Sequence, residues 1–305
     1  MSDKLTEQEK RAALRIKLQD ALVKYGFIAV TIGLLSWFAL TEETFRQPST
    51  LFSMLKFTSV VAIVGLGVTF TMVVGGLDLS VGSVAGLAVT ISAMMMVIYN
   101  LTGFFSGAMV LVAGAVVGAV NAFLIVWLKI PDLLATLGMM FIIMGLKLLP
   151  VDGQSVSSKM ILRDGSVAPG RFTEGFLAID RAMIGPVPLP VVIWIVLTAA
   201  AWYLLTRTKY GRIMYSVGAN PEAAKLSGVK VEWYRFSAYV ISGVFAATGG
   251  MILASRIGQG DISAGNSLLL DAVAVALVGT SVLGMGKPNA WGTALGALLI
   301  GIVIT

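Results

Sequence analysis

The sequence predicts an all-α integral membrane protein, built as a polytopic helical bundle. Of its 305 residues, 57% are hydrophobic and only 12% are charged, whereas soluble domains carry about 25% charged residues. The mean hydropathy is +0.90. Several runs without charge also reach the length of about 20 residues that a membrane-spanning helix needs. These three observations exclude a soluble globular domain.

The uncharged runs place about nine spans in the given chain. They are 25–41, 57–77, two spans within 79–128 divided near 99–103, 133–149, 182–206, 236–255, 267–283 and 290–305. We expect a tenth span after Thr305. The transmembrane domain therefore covers 25–305 and follows an N-terminal segment, 1–24.

The distribution of charge predicts the orientation. Segment 1–24 carries six Lys/Arg and four acidic residues, and loop 207–235 carries six Lys/Arg and two acidic residues. Positively charged loops remain in the cytoplasm, so both segments should be cytoplasmic. Six predicted spans lie between them, an even number, and the polar loop at about 150–181 then lies outside. The net charge of +6 therefore reports membrane orientation and predicts no binding of nucleic acid.

The chain contains no Cys and no His. Zinc sites built from these residues, thiol nucleophiles and imidazole proton relays are therefore excluded. We predict no metal site and no catalytic residue. A Walker A loop is also missing from the sequence, because the nearest fragment, 284–288, lacks both its spacing and its hydroxyl. The chain itself is not expected to hydrolyse ATP.

Segment 220–228 reads Asn-Pro-Glu-Ala-Ala-Lys-Leu-Ser-Gly and predicts a short amphipathic helix in the cytoplasmic loop. Asn220 is a preferred N-cap, and Pro221 suits the first helical position. Glu222 lies in the first turn, where the helix dipole favours negative charge. Gly228 can adopt the left-handed conformation that ends a helix. A short rigid helix on the cytoplasmic face is suited to bind a soluble partner and to transmit its movement to the membrane helices.

Segment 75–82 reads Gly-Gly-Leu-Asp-Leu-Ser-Val-Gly and places Asp78 at the junction of two spans. An ionisable residue in such a position usually faces protein or a cavity. One interpretation is that Asp78 caps the following helix. The other is that it lines or gates a transport pathway.

Several segments together resemble the permease subunits of bacterial ATP-binding-cassette (ABC) importers for simple sugars, of the ribose, xylose and galactose type. The resemblance runs from about position 45 onward. Its marks are segment 75–82, Asn121, Thr136-Leu137-Gly138, segment 218–228, Ser242-Gly243, Ser255-Arg256, segment 270–274, Gly279-Thr280-Ser281 and Gly292-Thr293.

The resemblance implies a multi-pass protein of the bacterial inner membrane that carries a simple sugar or a related polyol. It implies a separate ABC ATPase that holds ATP and Mg, a periplasmic solute-binding protein, a second permease copy in a homodimer, and surrounding membrane lipid. The ATPase-coupling candidates are Asn220, Pro221, Glu222, Ala223, Ala224 and Gly228. The pathway or gating candidates are Asp78, Ser80, Ser83, Asn121 and Thr136. Arg256 and Asp261 are candidates for receptor contact.

The sequence is also compatible with other functions. A related ABC permease could carry a nucleoside or a branched-chain amino acid instead. A secondary transporter usually has a membrane-buried ionisable group for ion coupling, and no predicted span has an unpaired acid at its midpoint. A membrane enzyme would need a cluster of catalytic side chains, which the sequence does not suggest. For the pathway candidates, hydrogen bonding between helices is the simpler alternative role.

Overall fold

The computed structural model describes Arg15, Gly26, residues 29–282 and residues 286–304. The N-terminal segment 1–24 lies, apart from Arg15, outside the described residues. The helices are α1 Ala29–Thr41, α2 Pro48–Val73, α3 Val81–Ala93, α4 Gly103–Val126, α5 Asp132–Leu146, α6 Glu174–Arg181, α7 Leu189–Arg207, α8 Lys209–Ala219, α9 Pro221–Leu226, α10 Val231–Ile257, α11 Leu268–Ser281 and α12 Ala290–Ile304. A π-helical turn, Met94–Ile98, extends α3. Strands β1 Met183–Ile184 and β2 Val187–Pro188 form a small antiparallel hairpin.

The structure is that of a helical membrane protein. Within the described part of the chain, six helical segments are long and apolar enough to cross a membrane. They are Pro48–Val73, Val81–Ile98, Gly103–Val126, Asp132–Val151, Leu189–Arg207 and Val231–Ile257. Three shorter apolar helices, Ala29–Thr41, Leu268–Ser281 and Ala290–Ile304, coincide with the remaining predicted spans. The count of about nine spans stays a prediction.

Three helix starts differ from the sequence-based boundaries, for identifiable reasons. Helix α2 begins at Pro48 and contains Lys56, whose charge is neutralised by Asp180. Helix α10 likewise includes two charged residues in its first turns and begins before position 236. Helix α7 begins at Leu189 because the preceding residues form the β1–β2 hairpin. The sequence-based boundaries lie at charged residues, so they make a helix too short when its charged residues are paired and lie within it.

Helix α10 is the centre of the bundle and packs most extensively on α4, α2 and α3. Small residues allow the α4–α10 approach: a methyl group at Gly114 would overlap the carbonyl oxygen of Gly243, and one at Gly118 would overlap that of Tyr239. This close backbone contact is the packing expected of small residues spaced four apart in membrane helices. Gly114 and Gly118 therefore form part of the packing face between α4 and α10.

The two polar loops lie at opposite ends of the bundle. We call the end that carries residues 150–181 the outer end, after the orientation predicted from the sequence; there Val156 pairs with Gly260 of the connection after α10. At the inner end, defined by residues 207–235, Gly218 of α8 packs directly on the backbone of Val73, the last residue of α2. Helix α2 thus connects the two ends. The outer segment is not only a loop, because it contains the amphipathic helix α6.

Candidate functional site

Helix α9 has the two ends that the sequence predicts. The side-chain oxygen of Asn220 accepts a hydrogen bond from the backbone N–H of Ala223 at 3.0 Å, and Pro221 occupies the first helical position. At the other end, Gly228 has φ +80°, and the N–H of Val229 donates to the carbonyl of Ala224 at 3.1 Å. This is the Schellman arrangement, in which a left-handed glycine satisfies the last carbonyls. The predicted short helix is confirmed.

Helix α9 presents an apolar tip. The side chain of Leu226, in its last turn, is 90% exposed, while Ala224 is buried against the bundle. Lys225 forms an ion pair with Glu232 of α10 at 3.7 Å. Helix α8, which precedes α9, is anchored by Tyr215, whose hydroxyl donates to the carbonyl of Pro288 at 2.6 Å. Burial raises the pKa of that tyrosine, which therefore remains protonated.

The structure brings together three of the five pathway candidates, Asp78, Ser80 and Asn121. One oxygen of the buried Asp78 carboxylate accepts from the backbone N–H and the hydroxyl of Ser80, at 2.9 and 2.6 Å. The amide of Asn121 on α4 donates to the Ser80 hydroxyl at 2.9 Å. The side-chain oxygen of Asn121 is buried and has no hydrogen-bond partner among the described residues.

Ser242 of α10 completes this group, and sequence reasoning missed it as a site residue. Its hydroxyl donates to the second carboxylate oxygen of Asp78 at 2.8 Å. The Ser242-Gly243 pair was a mark of the family resemblance but carried no assigned role. The Asp78 network, meaning Asp78, Ser80, Asn121 and Ser242, therefore joins the start of α3 to α4 and α10.

The other two pathway candidates have local partners. The Ser83 hydroxyl donates to the carbonyl of Ser80 at 2.8 Å, a bond within its own helix. The Thr136 hydroxyl lies within hydrogen-bonding distance of the carbonyls of Asp132, at 2.8 Å, and Leu77, at 3.4 Å. Thr136 is thus close to the Asp78 segment, while Ser83 lies one turn further along α3. Both side chains are buried.

Arg256 and Asp261, the receptor-contact candidates, lie at the outer end. Arg256 contacts the carboxylate of Asp180 at 3.0 Å and donates to the carbonyl of Lys56 at 2.7 Å. Lys56 in turn contacts the second oxygen of Asp180 at 3.1 Å. The three side chains connect α6 to α2 and α10. Arg256 is therefore partly exposed, but it also has a structural role.

Asp261 is the acceptor of an Asp-x-Ser turn. Its carboxylate accepts from the hydroxyl and the backbone N–H of Ser263, at 2.7 and 2.8 Å. These hydrogen bonds lower the pKa of Asp261, so it remains negatively charged near neutral pH. Among the described residues, no group of three or more His, Cys, Asp or Glu could hold a metal ion.

The structure combines a bundle of apolar helices, a short capped helix at one end and a buried polar network inside the bundle. Residues 50–305 match the family described as branched-chain amino acid transport system / permease component, and the chain belongs to this family. It is a multi-pass permease subunit of a bacterial ABC importer, located in the inner membrane.

The chain is also similar to several curated permeases. It is 32% identical to the ribose import permease protein RbsC of Haemophilus influenzae, over 91% of this chain and 83% of that protein. It is 31% identical to the galactose/methyl galactoside import permease protein MglC of Salmonella typhimurium, over 91% of this chain and 84% of that protein. It is 30% identical to the fructose import permease protein FrcC of Rhizobium meliloti, over 90% of this chain and 75% of that protein. No solved structure matches the chain significantly.

Burial should make Asp78 essential for stability. Replacing it with Ala leaves the buried donors of Ser80 and Ser242 unpaired, which costs about 1–3 kcal/mol for each such group. We expect Asp78→Ala to lower the free energy of unfolding in detergent by at least that amount. Asp78→Asn should remain folded, because the amide can accept from Ser80 and donate to Ser242.

Asp164 is a matched control for this prediction. It accepts from the N–H and the hydroxyl of Ser166 at 2.9 and 2.6 Å, the same distances as in the Asp78 turn. Asp164 is exposed, so water can replace the lost acceptor. Asp164→Ala should leave the unfolding transition unchanged. Equal destabilisation by the two alanine variants would contradict the assigned role of burial.

Proposed function

We propose that this permease moves a simple sugar or a related polyol across the inner membrane, delivered by a periplasmic binding protein and driven by a separate ATPase. The observation that carries the proposal is that relatives named for ribose, fructose and galactose import each match about nine-tenths of the chain at 30–32% identity. These cargoes are neutral and rich in hydroxyl groups. Such a cargo needs hydroxyl and amide partners rather than an ion pair.

The second candidate cargo is a branched-chain amino acid, which the description of the family names, or a nucleoside. A zwitterionic amino acid calls for opposite charges in the pathway. The acidic residues nearest to the pathway candidates already have partners: Asp132 pairs with Arg235 at 2.9 Å, and Asp78 accepts hydrogen bonds from serine side chains. This supports a cargo without charged groups, which a sugar and a nucleoside both are, over a zwitterionic amino acid.

The coupling helix is α9 in this proposal. The ATPase, which holds ATP and Mg, receives Asn220, Pro221, Glu222, Ala223, Ala224 and Gly228 in a surface groove. ATP binding then shifts the permease between outward-facing and inward-facing states, because the ATPase binds α9 with different affinity in each. Asp78, Ser80, Ser83, Asn121 and Thr136 line or gate the pathway. The binding protein docks at the outer end, near Arg256 and Asp261.

The proposed assembly contains two permease copies, embedded in membrane lipid. Each copy has about nine spans in the given chain, with its N-terminus in the cytoplasm. The short apolar helices α1, α11 and α12 are spans in this topology. Two independent features support it, the excess of Lys and Arg in 207–235 and the separation of the 150–181 and 207–235 segments at opposite ends of the bundle.

The first experiment is copurification of the detergent-extracted protein from its native cells. We expect an ABC ATPase and a periplasmic binding protein to accompany the permease. The isolated binding protein should then bind a sugar or polyol and neither branched-chain amino acids nor nucleosides. Binding of leucine or a nucleoside would overturn the proposed cargo. Uptake that runs without ATP and collapses with the ion gradient would overturn the importer assignment.

The topology can be tested by cysteine labelling, because the chain has no native Cys. In intact spheroplasts, a membrane-impermeant maleimide should label Ser158→Cys in the outer segment. Lys225→Cys in α9 and Ser2→Cys at the N-terminus should react only after permeabilisation. Labelling of Ser2→Cys from outside would remove one span between the N-terminus and the bundle.

The exposed tip of α9 should contribute to binding of the ATPase. Burying a leucine side chain contributes about 1.5–3 kcal/mol, which corresponds to roughly ten- to hundred-fold in affinity. We expect Leu226→Asp to lose the ATPase on copurification, and Glu222→Ala to reduce uptake per ATP hydrolysed. Ile161→Asp is the matched control, since Ile161 is a 70% exposed apolar residue at the outer end. Retention of the ATPase by Leu226→Asp would argue against α9 as the docking element.

A further inference from the structure

A compact ionic cluster lies between α9 and the Asp78 network, and the assigned roles do not use it. It consists of Asp132 at the start of α5 with Arg235 and Tyr239 on α10. The Arg235 guanidinium contacts both oxygens of the Asp132 carboxylate, at 2.9 and 3.0 Å. The Tyr239 hydroxyl donates to the same carboxylate at 2.6 Å. We call these three residues the Asp132 cluster.

On its inner side, the Asp132 cluster borders α9. A cleft of about 470 Å³ separates α9 from the connection between α4 and α5. Pro221 and Glu222 of α9 line this cleft together with Asp132 and Arg235. A displacement of α9 toward or away from the bundle therefore changes the surroundings of the Arg235 guanidinium directly.

On its other side, the Asp132 cluster contacts the segment that carries Asp78. A methyl group at Gly76 would overlap both the Asp132 carboxylate and the Tyr239 hydroxyl, so the Gly76 backbone lies against them. Thr136, one turn after Asp132, lies within reach of the carbonyl of Leu77 at 3.4 Å. Ser242, which donates to Asp78, follows Tyr239 by one helical turn of α10.

Arg235 is not fully satisfied in this arrangement. Its Nε is buried and has no hydrogen-bond partner among the described residues. An unpaired donor on a charged group is unfavourable. Glu222 of α9 lines the same cleft as Arg235, so a shift of α9 can bring this acceptor within reach. The cluster is thus arranged to respond to the position of α9.

We propose that the Asp132 cluster transmits the movement of α9 to the Asp78 network, with Asp132, Arg235 and Tyr239 acting as positioning residues for transport. Movement of α9 changes the partners of Arg235. The bidentate pair then moves Asp132 and the start of α5 relative to α10. The Gly76 backbone follows and alters the geometry at Asp78. This inference rests on the proposed coupling role of α9.

The test measures sugar uptake per ATP hydrolysed in proteoliposomes that contain the permease with its copurified ATPase and binding protein. Tyr239→Phe removes one hydroxyl, and Asp132→Asn removes the charge at nearly constant shape. We expect each to lower uptake per ATP about five-fold or more, while the ATPase stays bound and the melting temperature stays within a few degrees. Tyr203→Phe is the control, because Tyr203 on α7 is 61% exposed and distant in sequence from the cluster.

A double-mutant cycle separates transmission from a purely structural role. If α9 acts through the cluster, combining Glu222→Ala with Tyr239→Phe should lower uptake per ATP no further than the more severe single variant. The proposal would be overturned if the reductions caused by Glu222→Ala and Tyr239→Phe multiplied in the double variant. It would also be overturned if Tyr239→Phe and Asp132→Asn both showed normal uptake per ATP while Glu222→Ala was uncoupled. Normal coupling in Glu222→Ala would instead count against the role of α9 itself.

Discussion

A carboxylate enclosed among apolar helices has no water to bind, so its hydrogen bonds must come from the protein. Asp78 receives them from Ser80 and Ser242, which fixes the start of α3 against the middle of α10. Asn121 on α4 donates a hydrogen bond to Ser80, so α4 also contacts this site. The α4–α10 approach that this requires is possible because Gly118 brings no side chain to the contact. The hydrogen bonds that the Asp78 carboxylate requires therefore constrain the relative positions of α3, α4 and α10.

Charge pairs hold the same central helix at both ends. Near its inner end, Arg235 binds the carboxylate at the start of α5, and near its outer end Arg256 binds the carboxylate of α6. Unpaired charges are expensive at membrane depth, whereas these are paired and lie near the ends of the spans. Helix α10 is thus fixed by ion pairs at its two ends and by Asp78 between them. All three contacts are made by one uninterrupted helix, Val231–Ile257.

The sequence predicted those features that depend on neighbouring residues. The caps of α9 follow from Asn220 and Gly228, whereas the orientation predicted from the balance of charge stays a prediction. Contacts between distant segments could not be predicted in this way. Ser242 has no local property that distinguishes it from other membrane serines, and its role appears only when α10 packs on α3. Arg235 was counted only as loop charge, although an acid and a base at the same end of two spans is a signal for pairing.

An apolar side chain held in water at the end of a rigid helix also affects the permease before it assembles. The capped ends of α9 and the Lys225–Glu232 ion pair stabilise the helix in the position that leaves Leu226 exposed. When no partner covers this end of the bundle, Leu226 is therefore a single apolar side chain held at a fixed position in solvent. Burying a leucine side chain is favourable by about 1.5–3 kcal/mol, so a partner that covers Leu226 gains this contribution without first having to order the helix that carries it.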